Sequence, residues 1–261
     1  MSAEALFVRD GETYTASELA LGPWFEGALH GGPPAALMAH VLAAHAPERL
    51  RLARITLELV RPVPVGPLSV TVQTVRPGRR VTLLDGSLHG QVEDEFIEVL
   101  RARALFLVPT ESDATPVQAP PFPGPEEGRP NDWTHPTPMF ATDGMELRFV
   151  EGAFREVGPS VAWFRLAAPL IAGEPTLGLD RVVAAGDFGN GISTAVPWDG
   201  HIFINPDLTV FTEREPVDEW VALQASTRVQ RGSVAMAESV LWDRRGRIGR
   251  AVQTLLVSGP T

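Results

Sequence analysis

At 261 residues, with 44% hydrophobic and 21% charged side chains, the chain is long enough to bury one large core or two small ones. A net charge of −10 excludes long-range attraction to nucleic acid or to an anionic membrane, though a small anionic ligand stays open wherever arginines cluster. There is no cysteine, which removes disulfides, thiolate nucleophiles and cysteine-ligated metals.

The opening residues, MSAEALFVRDGETYT, hold no basic stretch followed by an apolar run, and no apolar run reaches membrane-spanning length. A cytoplasmic protein without a membrane partner is the expectation. Next comes GALHGGPPAALMAHVLAAH, residues 27–45, which predicts a helix over about 31–46 with Leu37, Met38, Val41 and Leu42 on its core face. Pro33 and Pro34 suit a first turn, where a missing N–H costs nothing. Gly31 and Gly32 carry no Cβ, so another group can approach this positive helix end closely, which suits an anion or a developing oxyanion. Strands are predicted near 53–61, 67–76, 79–90 and 95–108.

Residues 109–138 contain nine prolines and few aliphatics, the composition of an extended linker. Beyond it the texture repeats, with a helical stretch near 176–190 and strands near 202–212, 219–229, 233–243 and 247–257. RPVPVGPLSVTVQTVRPGRRV from Arg61 lies without a gap over REPVDEWVALQASTRVQRGSV from Arg214. RARALFLV, ending at Val108, lies over RAVQTLLV, ending at Val257, once the shorter second hairpin is allowed for. The chain therefore reads as an internal duplication of an α+β unit, with halves at 1–108 and 142–261 and a linker at 109–141.

No G-x-S-x-G elbow is present, and the six histidines show neither H-E-x-x-H nor another ligand spacing, so no metal site is expected. Carboxylates and amides remain, and the repeat helps to choose among them. Gln253 has Ala104 as its mate, Asn205 and Asp207 have Leu52 and Arg54, and Asp187 ends the second helix although the first helix carries no acid. Each also has a bland reading: a helix-end charge for Asp187, a strand amide for Gln253 and turn chemistry for Asn205-Pro206-Asp207.

Together, HGGPPAALMAHVL, VRPVPVGPLSVTVQTVRPGRRV, AAGDFGNG and GRIGRAVQTLLV give the chain its kinship. Over about residues 20–258 it resembles the double hot-dog acyl-CoA thioesterases of the type II class. The resemblance implies two antiparallel sheets, each wrapping a central helix and related by a pseudo-twofold axis. It implies an acyl-CoA substrate, no metal or organic cofactor, and a possible homo-oligomer. Asp187 and Gln253 match the family's water-holding aspartate and glutamine, while Asn205 stands where the family has threonine, with Thr209 as a substitute. By analogy with single hot-dog thioesterases, Gly31 and Gly32 would supply the oxyanion donors and His30 would touch substrate. The site would be composite, one per chain, between the halves. Arg79 and Arg231, with Arg76 and Arg80, are candidates for the coenzyme A phosphates. Two other readings stay open. One is a hydratase, since GDFGNGIS begins like a hydratase motif but lacks its closing histidine; the other is an acyl-CoA binder without catalysis.

Overall fold

The computed structural model describes residues 5–109, 113, 120–198, 200–231 and 234–259. The hairpin of β1 (Phe7–Asp10) and β2 (Thr13–Ala16) is followed by α1 (Gly32–His45), β3 (Arg51–Leu59), β4 (Pro67–Arg76), β5 (Val81–Val92) and β6 (Glu95–Leu107). The second half holds β7 (Arg129–Pro130), β8 (Met145–Glu151), β9 (Ser160–Leu166), α2 (Gly178–Gly186), α3 (Gly189–Ile192), β10 (Ile202–Ile204), β11 (Asp207–Thr212), β12 (Val221–Arg228), β13 (Ala235–Asp243) and β14 (Gly246–Ser258).

The first helix forms where its sequence places it. Pro33 and Pro34 occupy the first turn, and the Ala35 N–H, the first available, donates to Gly31 O at 3.1 Å. From Gly32 to Leu42 every residue is buried, because β3–β6 cover one side of α1 and α2 packs on another. Close packing against β5 depends on Gly86, where a Cβ would lie 2.7 Å from Met38 Cε. The helix ends at Ala46, just before Pro47.

Two sheets were expected, and instead a single fourteen-stranded sheet spans the chain. Its order is β1-β2-β4-β5-β6-β3-β11-β14-β13-β12-β9-β8-β7, with β10 pairing to β14 off that path. All of the pairing along it is antiparallel. The reason for the fusion is the seam between β3 and β11. Each ends its own four-strand set with an open edge, and the two edges satisfy each other's backbone groups. Thr209 stands directly opposite Thr56 there, with their hydroxyls 3.2 Å apart.

Two predicted elements are broken, both beside the same cavity. The helical stretch near 176–190 divides into α2 and α3 at Asp187 and Phe188. Gln253 takes over the missing helix bonds: its Nε2 donates to Asp187 O (3.1 Å) and its Oε1 accepts from Asn190 N (3.1 Å). The strand near 202–212 divides at Asn205-Pro206, where proline has no N–H to donate. Between the pairs Ile204–Leu256 and Thr209–Val252, residues 205–208 oppose only residues 253–255, so β10 and β11 together carry a one-residue bulge. Asp207 holds the bulge by accepting from the Thr254 N–H (2.7 Å) and the Thr254 hydroxyl.

The described part of the proline-rich segment lies against the second half. Phe122 stacks on Trp242 at 4.4 Å, Pro123 O accepts from Trp163 Nε1 at 2.9 Å, and β7 pairs with β8. Among the described residues, no helix is long and apolar enough to cross a membrane.

Candidate active site

A cavity of 240 Å³ opens where the start of α1 meets the end of α2. His30 and Gly31 come to it from the first half, and Asp187, Asn190 and Asn205 from the second. The Asp187 side chain is 5% exposed and held from several directions. Its Oδ1 accepts from Asn205 Nδ2 at 2.9 Å and from Gln253 Nε2 at 3.3 Å. Its Oδ2 lies 3.1 Å from His30 Nδ1, and a Cβ on Gly31 would come within 2.6 Å of that oxygen. One carboxylate oxygen is thus fixed by two amides, and the other faces the start of the opposite helix.

These contacts follow from the local breaks. A continuous α2 would pass residue 187 without freeing its carbonyl, and a flat β11 would not tilt Asn205 towards it. The bulge aims Asn205, whose Nδ2 also meets Asp207 O at 3.2 Å. Gln253 is 1% exposed, and its amide forms three bonds: to Asp187 O, to Asp187 Oδ1 and from Asn190 N.

At the start of α1, the two prolines leave Gly31 and Gly32 as the N–H groups of the helix end. The Gly32 N–H donates to His30 Nδ1 at 3.0 Å. His30 is held between rings, stacked on Phe188 (4.7 Å) and tilted against Phe140 (5.1 Å). Its Nδ1 therefore faces both an N–H donor and the Asp187 carboxylate. A ring nitrogen carries either a lone pair or a proton in its plane, so it serves one of the two at a time.

Asp187, Asn205, Gln253, His30 and Gly31 are brought together, and Gly32 adjoins them through His30. Thr209 is not among them, because its hydroxyl meets Thr56 at the sheet seam. Arg79 and Arg231 are exposed and lie outside the cavity lining, which instead includes the exposed Arg61. Sequence reasoning missed Asn190, whose Nδ2 donates to Phe203 O (3.1 Å) and reaches Asn205 Oδ1 (3.4 Å). An asparagine inside GNG, three residues past Asp187, was the available signal. It also missed the aromatic lining made by Trp24, Phe154 and Trp198 from separate loops. Nothing in the sequence spacing links those three rings. Among the described residues, no group of three or more His, Asp or Glu is arranged to hold a metal ion.

Residues 20–107 match the family model for the acyl-CoA thioesterase N-terminal domain, and residues 116–257 match that for the acyl-CoA thioesterase C-terminal domain. Among solved structures, a candidate thioesterase from Novosphingobium aromaticivorans DSM 12444 is 22% identical with a TM-score of 0.74, covering 98% of this chain and 100% of its own. A hot-dog-fold protein of unknown function from Alicyclobacillus acidocaldarius is 18% identical with a TM-score of 0.73, covering 99% and 98%. The acyl-CoA thioesterase II TesB2 from Mycobacterium marinum is 14% identical with a TM-score of 0.68, covering 97% and 95%. At such identities the structural likeness establishes the hot-dog fold. No curated protein matches the chain.

Proposed function

The chain belongs to the acyl-CoA thioesterase family, and from that premise we propose that it hydrolyses an acyl-CoA to the free acid and coenzyme A at one composite site between pseudo-twofold-related halves. The observation that carries this reading is the Asp187 carboxylate, with Oδ1 tied to Asn205 and Gln253 and Oδ2 turned towards Gly31. Asp187 Oδ2 takes a proton from a water as its oxygen attacks the thioester carbon. The carbonyl oxygen becomes an oxyanion facing the Gly31 N–H at the positive end of α1. The C–S bond then breaks, and the coenzyme A thiolate leaves and takes up a proton.

His30 links the two sides of this chemistry. A proton on Nδ1 would turn the ring towards donating to Asp187 Oδ2 and release the Gly32 N–H as a second oxyanion donor. Asn205 does with an amide N–H what the family's threonine does with a hydroxyl. Arg61, at the cavity rim, replaces Arg79 and Arg231 as the cation for the coenzyme A phosphates.

The test is thiol release from a panel of acyl-CoAs, read with a thiol reagent to which this cysteine-free protein gives no background. Release above the rate without protein supports the reading, and none on any thioester defeats it. A second variant reads the geometry. Gly31 has φ −62°, so alanine fits its backbone, yet the added Cβ meets Asp187 Oδ2. Gly31→Ala is expected to lower kcat by about a hundredfold, the scale on which a misplacement of about 1 Å acts. Its thermal melt should stay near that of the parent. An unchanged kcat would show that Oδ2 does not need its present position.

One contact favours a second reading. Asp187 and His30 form an acid–imidazole pair 3.1 Å apart, although GDFGNGIS itself does not end in a histidine. Such a pair suits water addition to an enoyl-CoA. Loss of enoyl absorbance without thiol release would select that reading.

A further inference from the structure

The cavity that the Asp187 carboxylate enters is also lined by rings, Trp24, Phe154 and Trp198 among them. Trp24 and Trp198 lie nearly parallel, with centroids 5.3 Å apart and planes 13° apart. Phe203 sets its edge against both, at 4.9 Å in each case. Phe154 leans on Trp198 at 5.4 Å and is itself stacked on Trp133 at 4.8 Å. Each ring is held by another, so the wall is ordered before any ligand arrives and little freedom remains to be lost on binding.

Phe140, Phe188 and Ile192 are buried, and the α1 side chains that a channel along the helix would pass, Leu37, Met38 and Leu42, have no accessible surface. A side chain with no accessible surface borders no void that would admit a water. Met38 and Leu42 also fill the space that Gly86 leaves open. The layer between helix and sheet therefore has no slot for a long aliphatic tail. At 240 Å³ the cavity lies just under the roughly 300–1,000 Å³ common for sites that enclose a drug-sized ligand.

We propose that the acyl group taken by this site is short and planar, an aromatic ring within a few bonds of the thioester carbonyl, and that it stacks on the Trp24–Trp198 wall. This rests on the thioesterase reading for its chemistry and goes beyond it in substrate class. The flat faces and edges of the wall favour an offset or edge-on ring over a linear chain of similar size, and one such contact is worth about two- to tenfold in affinity. Carbonyl and ring must both fit the cavity, which keeps the spacer short.

The experiment compares kcat/KM for benzoyl-CoA and phenylacetyl-CoA with hexanoyl-, octanoyl- and palmitoyl-CoA. The aromatic thioesters are expected to lead the linear ones by about tenfold or more, the sum of two or so ring contacts. In Trp198→Leu that lead should collapse towards parity, with the aromatic thioesters losing more than the linear ones; Trp198→Phe, which keeps a ring, should retain most of it. Equal or better turnover of the linear chains overturns the proposal and leaves the hydrolase standing. So does an equal loss on all substrates in Trp198→Leu. If no thioester turned over, the hydrolase reading would fall, and binding of the same compounds, followed by quenching of tryptophan fluorescence, would decide the aromatic preference alone. Tighter binding of the aryl thioesters upholds it, and equal or weaker binding overturns it.

Discussion

Asp187→Asn should lower kcat on the best acyl-CoA by about 10²- to 10⁴-fold, the range expected when a general base is lost. Asparagine keeps the shape of the side chain, and its carbonyl oxygen can still accept from Asn205 and Gln253, which both now donate to Oδ1. What it lacks is a second oxygen able to take a proton from water on the side facing Gly31. The fold should survive, so a melt within a few degrees of the parent should accompany the loss. The measurement is kcat by thiol release for parent and variant on one preparation each, with the melts alongside. A kcat within about threefold of the parent would mean that Asp187 holds the helix break and does not act as the base.

The two helix-plus-four-strand sets were legible because their signals are local. Alanine and leucine spacing marks α1, alternation marks β4–β6 and β12–β14, and the gapless overlay from Arg61 and Arg214 ties the sets together. The joining of both sets into one sheet was not legible, since nothing in the sequence of β3 or β11 says whether its free edge meets solvent or the other. The site was partly legible for a related reason. Asp187, Asn205 and Gln253 each stand out against an apolar or repeated background, whereas the contact of His30 with Asp187 depends on how two helices from different halves cross. The phosphate-facing role given to Arg79 and Arg231 followed hairpin charge alone, and charge on a hairpin does not say which way the cavity opens.

The largest expected effect on stability lies about 15 Å along α1 from His30, ten residues on at 1.5 Å each. There His40 Nδ1 meets Asp180 Oδ2 at 2.9 Å, and His40 Nε2 lies 3.4 Å from Glu174 Oε2, which ties α1 to the start of α2. The Asp180 side chain has no accessible surface, and the same Oδ2 accepts from the Leu177 N–H at 2.7 Å, so it also caps α2. Replacing His40 by alanine strands this buried carboxylate and should cost about 3–5 kcal/mol. For a chain of this size that lowers Tm by on the order of 10 °C. Burial disfavours the His40 imidazolium, but the carboxylates of Asp180 and Glu174 outweigh it and raise the histidine above its ordinary value. A raised histidine binds its proton more tightly folded than unfolded. The stability it contributes is complete below the unfolded value of about 6.5 and is lost as pH climbs through the higher folded value. Melts from pH 6 to 9 should show the parent losing Tm over that window. His40→Gln should lose the slope; a slope that persisted in it would assign the effect to another group.

The seam between β3 and β11 has a consequence for how the chain reaches its native state. Thr56 and Thr209, paired across it, are separated by the whole linker and roughly half of each flanking half, so closing this contact is among the least local events in the fold. During synthesis the first half is complete while β3 still lacks its neighbour. In that interval its open edge is guarded by the charges of Arg51, Arg54 and Glu58 rather than by a partner strand. A nascent or crowded pool of such chains faces a choice between its own β11 and that of another molecule. The exchange would be topologically complete, because a half borrowed from a second chain brings the same Asp187 to the same Gly31. Arm exchange of this kind would therefore give assemblies in which subunit boundaries shift while each cavity keeps its parts.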